Sequence, residues 1–215
     1  MSRQERAALT RSRMLGAAYD LFCEQGFRAT TMDSIAERAG VAVQTMYFTF
    51  HTKDALLQEV HDRTVLDDDP LPPPQQAWHI AAMAESDGRR ALAQIIKGVL
   101  AIQARMAPLI PVLHAVSADA AGEVFRRGER LRRAGYEQLT DALAAKTPLR
   151  PGLTRARATD LLFVILGPEL YRSLVLECGW SQADWQAWAT STLTRDLFGG
   201  KPHYHASGPR PGTQT

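Results

Sequence analysis

Residues 30–57 of the sequence, TTMDSIAERAGVAVQTMYFTFHTKDALL, contain two segments with helical periodicity on either side of a single glycine, Gly40. The first segment, Met32 to Ala39, follows Thr31, a residue type that suits the N-cap of a helix. The second, Val43 to Phe50, places glutamine, threonine, tyrosine and phenylalanine within barely two turns. The pattern predicts two short helices joined by a tight turn at Gly40.

The two predicted helices share one apolar face, which predicts a small common core. Its members are Ile35, Ala36, Ala39, Val41, Met46 and Phe50. Burying that face leaves contact-making groups on the other sides of the second helix: Val43, Gln44, Thr45, Tyr47, Phe48 and Thr49. A short helix of this kind is poorly suited to stabilising a fold and well suited to insertion into the major groove of DNA.

The chemistry of the individual side chains is compatible with that interpretation. Gln44 can donate to and accept from an adenine edge, and Thr45 offers a hydroxyl to phosphate or base. Val43 and Phe48 can meet thymine methyl groups or sugar, and Tyr47 can bond phosphate through its hydroxyl. For any single residue, a place in the core of a three-helix bundle that never meets DNA is an alternative.

The whole segment resembles the helix-turn-helix of tetracycline-repressor (TetR) family regulators, closely over residues 5–65 and loosely over the rest of the chain. The matching residues are Thr31, Ile35, Ala36, Ala39, Gly40, Val41, Thr45, Met46, Tyr47, Phe50, Lys53, Ala55, Leu56 and Leu57. The resemblance implies that a DNA operator is contacted by Thr31, Val43, Gln44, Thr45, Tyr47, Phe48, Thr49 and Lys53. Lys53 lies in the first turn of the next helix, where it suits a phosphate anchor.

Two positions depart from the family pattern. Family members often have serine where Ala42 stands, and alanine offers no capping oxygen, which costs about 0.5–2 kcal/mol of helix stability. Val43 occupies a position that is often basic or polar. We therefore expect base recognition to depend on apolar contacts more than is usual.

The composition favours an all-α fold. The chain has 215 residues, of which 45% are hydrophobic and 22% charged, and alanine and leucine, both helix formers, dominate. The formal net charge is only +2, and residues 1–63 hold equal numbers of basic and acidic side chains. DNA binding must therefore rest on the placement of groups and not on net charge. The arginines near the start, Arg3, Arg6, Arg11 and Arg13, are either a DNA-contacting arm or a frayed, solvated terminus.

No feature of the sequence predicts a membrane span, a cofactor or a metal site. The longest apolar stretch, residues 98–116, is interrupted by Gln103, Arg105, Pro108 and Pro111. The start of the chain lacks the apolar region of a signal peptide, so we expect a cytoplasmic protein. Cys23 and Cys178 lie in apolar helical contexts and are predicted to be buried free thiols.

The predicted organisation is a DNA-binding domain over residues 1–66 and a proline-rich connection over 67–74. A helical ligand-binding and dimerisation domain follows over 75–198, and a disordered tail over 199–215. A first helix is predicted over residues 5–25 and is ended by Gly26. Later helices are predicted at about 88–106, 108–118, 120–146, 154–178 and 181–198, with a kink at Gly167 and Pro168.

The last two predicted helices carry surplus apolar surface. In regulators that this chain resembles, the corresponding helices form a four-helix interface between two subunits. We therefore expect a homodimer interface that includes Leu161, Leu162, Ile165, Trp185, Trp188 and Leu193. The alternative is that both helices complete the core of one protomer.

The remaining helices are predicted to enclose a pocket for a small, partly apolar effector. Its candidate walls are Trp78, Met83, Met106, His114, Phe125, Tyr136 and Phe163, residue types that at helical spacing also form ordinary cores.

No catalytic or metal-binding motif contains the candidate catalytic groups, so we expect no enzyme activity. These groups are His51, His61, His79, His114, Glu169 and Cys178. The function predicted is a ligand-responsive repressor that binds a pseudo-palindromic operator as a homodimer. The alternative is a helical ligand- or partner-binding protein without operator control.

Overall fold

The computed structural model describes residues 2–67, 69, 71–116 and 122–200. These residues form helices and no strand, and the predicted all-α fold is confirmed. The α-helices in chain order are α1 (Arg3–Ala29), α2 (Met32–Ala39), α3 (Val43–Phe50), α4 (Lys53–Leu66), α5 (Ala77–Ala84), α6 (Gly88–Met106), α7 (Ile110–Ala115), α8 (Gly122–Lys146), α9 (Arg155–Ile165), α10 (Pro168–Tyr171) and α11 (Gln182–Phe198). A 3-10 turn spans Pro73–Gln75 and a π-helical turn spans Arg172–Glu177.

Helices α2 and α3 have the bounds that the sequence predicts, because their ends are determined locally. Thr31 caps α2 by accepting a hydrogen bond from the backbone N–H of Ser34 at 3.1 Å, and the Ser34 hydroxyl oxygen accepts one from the Thr31 N–H. Gly40 ends α2 in the left-handed region, with φ of 64°. At Ala42, the N-cap of α3, no side-chain hydrogen bond is made.

Helix α1 is longer than predicted at both ends. It begins at Arg3 because Ser2 caps it, accepting from the Glu5 N–H at 3.1 Å, while the Glu5 carboxylate accepts from the Ser2 N–H. The arginine-rich start of the chain is therefore helical. Gly26, which the sequence predicts to lie just past the end of the helix, has φ of 82° and kinks it, and the helix resumes and ends at Ala29.

The structure divides into two compact units, which differ from the predicted domains. Unit 1 consists of residues up to Gln76 together with Ala104–Ala134, and unit 2 of Ala77–Gln103 and the residues from Gly135 onward. Residues 104–134 join unit 1 because their apolar side chains belong to the same buried cluster as α1 to α4. The cluster includes Leu15, Ala18, Phe22, Ile35, Met46, Phe50, Leu56, Leu57, Leu109, Leu113 and Val124.

A glycine allows α8 to approach α4 within unit 1. A β-carbon at Gly128 would lie 2.6 Å from Nε2 of His61, so a larger residue there would force the His61 ring or the helix to shift. His61 is buried, and its Nδ1 lies 3.3 Å from an Asp62 carboxylate oxygen. Arg127, beside the glycine, pairs with Asp62 at 3.4 Å, so an ion pair accompanies the close contact.

In unit 2, the predicted helix 154–178 is interrupted between α9 and α10. Gly167 and Pro168 follow the end of α9, and a proline cannot continue the hydrogen-bond pattern of a helix. The freed carbonyl of Leu166 accepts from Gln103 Nε2 at 2.7 Å and from the Tyr136 hydroxyl at 3.2 Å. The predicted kink is therefore a break whose backbone is satisfied by side chains from other helices.

The two cysteines have different environments. Cys23 in α1 is half-buried, and burial raises the pKa of its thiol to about 11. Cys178, which the sequence predicts to be buried, is exposed because the π-helical turn ends there and the chain leaves the helix.

Among the described residues, no helix is long and apolar enough to span a bilayer, and no group of metal-binding side chains comes together. The predicted tail from residue 201 onward, and parts of the predicted connection and of the predicted helices near residue 118, lie outside the described residues.

Candidate nucleic-acid interface

Helix α3 is held to the core of unit 1 by two side chains one turn apart. Met46 is fully buried and Phe50 is 1% exposed, and both belong to the apolar cluster of α1 and α2. The Val41 N–H donates to the Ala36 carbonyl at 3.0 Å, which closes the turn between α2 and α3. These contacts fix one side of α3 and leave its other sides to solvent.

The free sides of α3 carry the side chains that the sequence predicts to meet DNA. Phe48 is 85% exposed and Tyr47 is 49% exposed, and Gln44 is also exposed. Val43, Thr45 and Thr49 are half-buried. An aromatic side chain as exposed as Phe48 contributes little to folding, so its apolar surface is available to another molecule.

Some polar side chains of α3 are hydrogen-bonded within the protein, and others are not. The Thr49 hydroxyl donates to the Thr45 carbonyl at 2.7 Å. No described residue bonds the side chains of Gln44, Thr45 or Tyr47. The amide of Gln44 and the hydroxyls of Thr45 and Tyr47 are therefore the available donors and acceptors on this helix.

Lys53 connects the end of α1 to the start of α4. Its Nζ donates to the carbonyls of Phe27 at 2.7 Å and Thr30 at 2.8 Å, and it lies 4.3 Å from the centre of the Phe27 ring. Burial lowers the pKa of this ammonium group. Two of its three hydrogens are used inside the protein, so the predicted phosphate contact, which stays a prediction, depends on the third.

Thr31, the remaining predicted DNA contact, is exposed at the start of α2. Its hydroxyl oxygen accepts the capping hydrogen bond from the Ser34 N–H at 3.1 Å, and its hydroxyl proton is donated to Ser34 Oγ at 3.2 Å. A phosphate contact by the Thr31 hydroxyl proton requires this bond to Ser34 Oγ to be exchanged for one to the phosphate, and it stays a prediction.

Cationic side chains around α3 are partly neutralised by acidic partners. Arg38 makes a two-pronged pair with Glu24 at 3.0 and 2.8 Å, which lowers the pKa of that carboxyl. Arg11 pairs with Glu59 and stacks 4.9 Å from the centre of the Phe50 ring. Neither pair is predictable from the sequence, because the partners are far apart along the chain.

Three exposed arginines of α1 have no hydrogen-bond or ion-pair partner among the described residues: Arg3, Arg6 and Arg13. Their spacing of three and seven residues places them on one face of the helix. This face is a fixed row of positive charge, a suitable shape for a run of phosphates.

The predicted pocket residues are distributed over both units. Met106 is buried in the cluster of unit 1, and Phe125 packs half-buried against it. His114 is exposed and meets the Phe125 ring edge-on at 5.0 Å. The other predicted walls belong to unit 2 and are half-buried or buried there: Trp78, Met83, Tyr136 and Phe163.

A different concavity is visible in unit 2. An open groove of about 780 Å³ runs between α6 and α11 and is lined by Arg89, Ala93, Ala183, Gln186, Ala187, Thr190, Ser191, Thr194, Arg195, Gly199 and Gly200. None of the predicted pocket residues lines it. The effector site predicted from the sequence therefore stays a prediction.

The predicted dimer interface needs a correction. Leu162, Trp185 and Leu193 are fully buried within unit 2, and Ile165 is 8% exposed. Side chains already removed from water in one protomer have almost no area left to bury against another, so these four residues belong to the protomer core. Leu161 and Trp188 are half-buried and stay candidates.

A family model described as "Bacterial regulatory proteins, tetR family" matches residues 14–60, which extend from the middle of α1 into α4. Over this segment the chain is similar to the tetR family. The resemblance seen in the sequence is thereby confirmed. The match contains the capped α2, the glycine turn and the whole of α3.

Curated relatives match over the same part of the chain. The uncharacterized HTH-type transcriptional regulator YdeS of Bacillus subtilis is 43% identical over 63 residues, 29% of this chain and 32% of that protein. The HTH-type transcriptional repressor KstR2 of Rhodococcus jostii is 40% identical over 58 residues, 27% of this chain and 28% of that protein. The aligned segment thus spans about a third of each relative, and both relatives are named as regulators of transcription.

Solved structures share the fold over nearly the whole chain. NalD of Pseudomonas aeruginosa, the secondary repressor of the MexAB-OprM multidrug efflux pump, is 23% identical with a TM-score of 0.69, covering 90% of this chain and 98% of NalD. A TetR-family regulator of Mesorhizobium loti is 18% identical with a TM-score of 0.66, covering 92% of this chain and 100% of its own. The fold of this chain is therefore that of these structures, an amino-terminal helix-turn-helix followed by a helical remainder.

Proposed function

We propose that this tetR-family protein is a transcriptional repressor that binds a pseudo-palindromic DNA operator as a homodimer and is released by a small effector. The supporting observation is α3, which buries Met46 and Phe50 and turns Gln44, Tyr47 and Phe48 to solvent. A helix that is buried on one side and exposes amide, hydroxyl and aromatic groups on the other is suited to recognition of bases in the major groove. The names of KstR2 and NalD as repressors favour repression over activation.

The first test is selection of binding sites from random duplex DNA, followed by titration of the enriched site. Gln44→Ala should weaken binding to that site by about 1–3 kcal/mol and relax the preference at one base pair per half-site. Ile80→Ala, a change of an exposed side chain on α5 outside the helix-turn-helix, is the control. A selection that enriches no sequence would leave the alternative function, a helical ligand- or partner-binding protein without operator control.

The homodimer is proposed because two half-sites require a protein with twofold symmetry. In unit 2, Val164 is 60% exposed and Leu176 is 51% exposed. The half-buried Trp188 meets Trp180 edge-on with ring centres 6.0 Å apart. These groups replace the four buried residues as the candidate interface, since exposed apolar side chains are the ones that a partner can cover.

Sedimentation at micromolar concentration tests the dimer. Val164→Asp should shift the protein to monomer and reduce operator binding, because it buries an unpaired charge in the interface. Ile80→Asp is the matched control, since Ile80 on α5 is 58% exposed and lies outside the candidate interface. A wild-type protein that sediments as a monomer would contradict the proposal.

The effector is proposed to be small and partly apolar, because the candidate walls are mainly methionine and aromatic side chains with His114 and Tyr136 as polar groups. It can release DNA only by binding the released conformation more tightly than the DNA-bound one. A tenfold loss of DNA affinity corresponds to about 1.4 kcal/mol of coupling, and DNA must weaken effector binding by the same factor. A thermal-shift screen followed by DNA titration with each hit tests this; hits that never change DNA affinity would refute it.

A further inference from the structure

We infer that α3 recognises a half-site whose central base pairs are A·T, with Gln44 bonding adenine and Phe48 covering a thymine methyl group. The inference rests on the proposed operator binding and adds the kind of sequence that is bound.

The charge distribution around α3 disfavours guanine. Recognition of guanine in the major groove most often uses an arginine or lysine that donates to O6 and N7. Helix α3 has the sequence VQTMYFTF and contains no charged residue. The two cationic side chains between Thr31 and Lys53 are Arg38, paired with Glu24, and Lys53 itself, which bonds two carbonyls. This segment therefore lacks a free guanidinium or ammonium group for a guanine edge.

Phe48 has the chemistry and the position for thymine. Its side chain has no polar atom, so it cannot bond a phosphate or a base edge, and 85% of it faces solvent. The apolar group that bases present in the major groove is the thymine methyl. Burial of the ring against that methyl removes apolar surface of both partners from water.

Gln44 completes the recognition of an A·T pair. Its amide is exposed and has no described hydrogen-bond partner, and glutamine pairs in two-pronged fashion with N6 and N7 of adenine. Gln44 and Phe48 are four residues apart, so they are neighbours on one face of α3. One face of the helix therefore offers an adenine-binding amide beside an apolar ring.

The test replaces thymine by uracil, which lacks only the methyl group. Sites are first selected from random duplex DNA, and each thymine of the enriched half-site is then changed singly to deoxyuridine. Wild-type affinity should fall about fourfold at one position per half-site, and about fifteenfold when both half-sites are changed, from the value of one buried methyl. Phe48→Ala should weaken binding to the thymine site and abolish the difference between thymine and uracil.

Leu131→Ala is the matched control, because Leu131 on α8 is a similarly exposed apolar residue, 60% exposed, outside the helix-turn-helix. It should keep the wild-type difference between thymine and uracil. An enriched motif with a G·C centre, or uracil tolerated at every position, would overturn the inference and leave operator binding intact. Equal weakening of thymine and uracil sites by Phe48→Ala would also overturn it, since Phe48 would then contact deoxyribose. A selection without any motif would fail the proposed function itself.

Discussion

Helices α3 and α11 both carry aromatic side chains at helical spacing, and the structure places them in opposite environments. Phe48 of α3 is 85% exposed, whereas Trp185 of α11 is fully buried and meets the Tyr171 ring edge-on at 5.2 Å. Helix α3 has eight residues and neighbours on one side, while α11 has seventeen and packs on α9 and the π-helical turn. Aromatic side chains at the same spacing are therefore turned to solvent in the short helix and buried in the core by the long one.

The largest expected change in the free energy of unfolding is for the buried aromatic residue of α11. Trp185→Ala should lower the free energy of unfolding by about 3–5 kcal/mol, because it opens a cavity in a core that cannot fully collapse. Urea denaturation followed by circular dichroism measures this. Trp188→Ala, on the same helix but half-buried, should cost clearly less. If both variants lose the same free energy of unfolding, Trp185 is not more deeply buried than Trp188.

Lys53→Met should have the next largest effect, because Lys53 at the start of α4 holds the end of α1 through two hydrogen bonds. The change keeps an apolar stem but leaves the carbonyls of Phe27 and Thr30 without their donor, which should cost about 1–3 kcal/mol of unfolding free energy. Denaturation of the DNA-free protein separates this role from a phosphate contact. If the free protein is as stable as wild type while all DNA sequences bind more weakly, Lys53 acts as a phosphate anchor alone.

Ala42→Ser should stabilise α3 by about 0.5–2 kcal/mol by supplying the missing capping oxygen. Thermal unfolding measures the gain, and Ala42→Gly is the control that changes the backbone without adding a hydroxyl. A serine variant that is no more stable than wild type would mean that the N–H groups at the start of α3 are already satisfied by solvent.

The smallest expected effect on stability is that of Phe48→Ala. An exposed side chain outside the core should change the free energy of unfolding by no more than about 0.5 kcal/mol. The same denaturation measurement, made beside that of Trp185→Ala, completes the comparison. A loss of 2 kcal/mol or more, which is the scale of a buried residue, would contradict the exposure of Phe48.

The sequence predicted the helix-turn-helix well because its signals are local. Thr31, Gly40 and the spacing of Met46 and Phe50 determine the ends and the buried side of two short helices within a few residues. The contacts that hold this domain were not predictable in the same way. Lys53 bonds carbonyls 23 and 26 positions away, and Arg11 reaches Glu59 across 48 positions, so only the folded chain brings them together.

For unit 2, the sequence did not predict which apolar side chains are buried within one protomer and which are left for a second protomer to cover. An apolar side chain on a long helix predicts burial, but the sequence does not say whether the same protomer or a second one covers it. For Leu162, Trp185 and Leu193 the protomer itself provides the cover. The exposure of Cys178 was missed for a related reason, since the π-helical turn that ends there leaves no signal in the sequence.

The unequal cysteines make the native protein suitable for site-selective labelling. At neutral pH the thiolate is the reactive form, and the raised pKa of Cys23, about 11, keeps that thiol protonated and slow to react. Cys178 is exposed in unit 2 and reacts first. A fluorophore attached there by maleimide chemistry, without any substitution, would report spectroscopically on the region beside Trp180 and Trp188 during effector titrations.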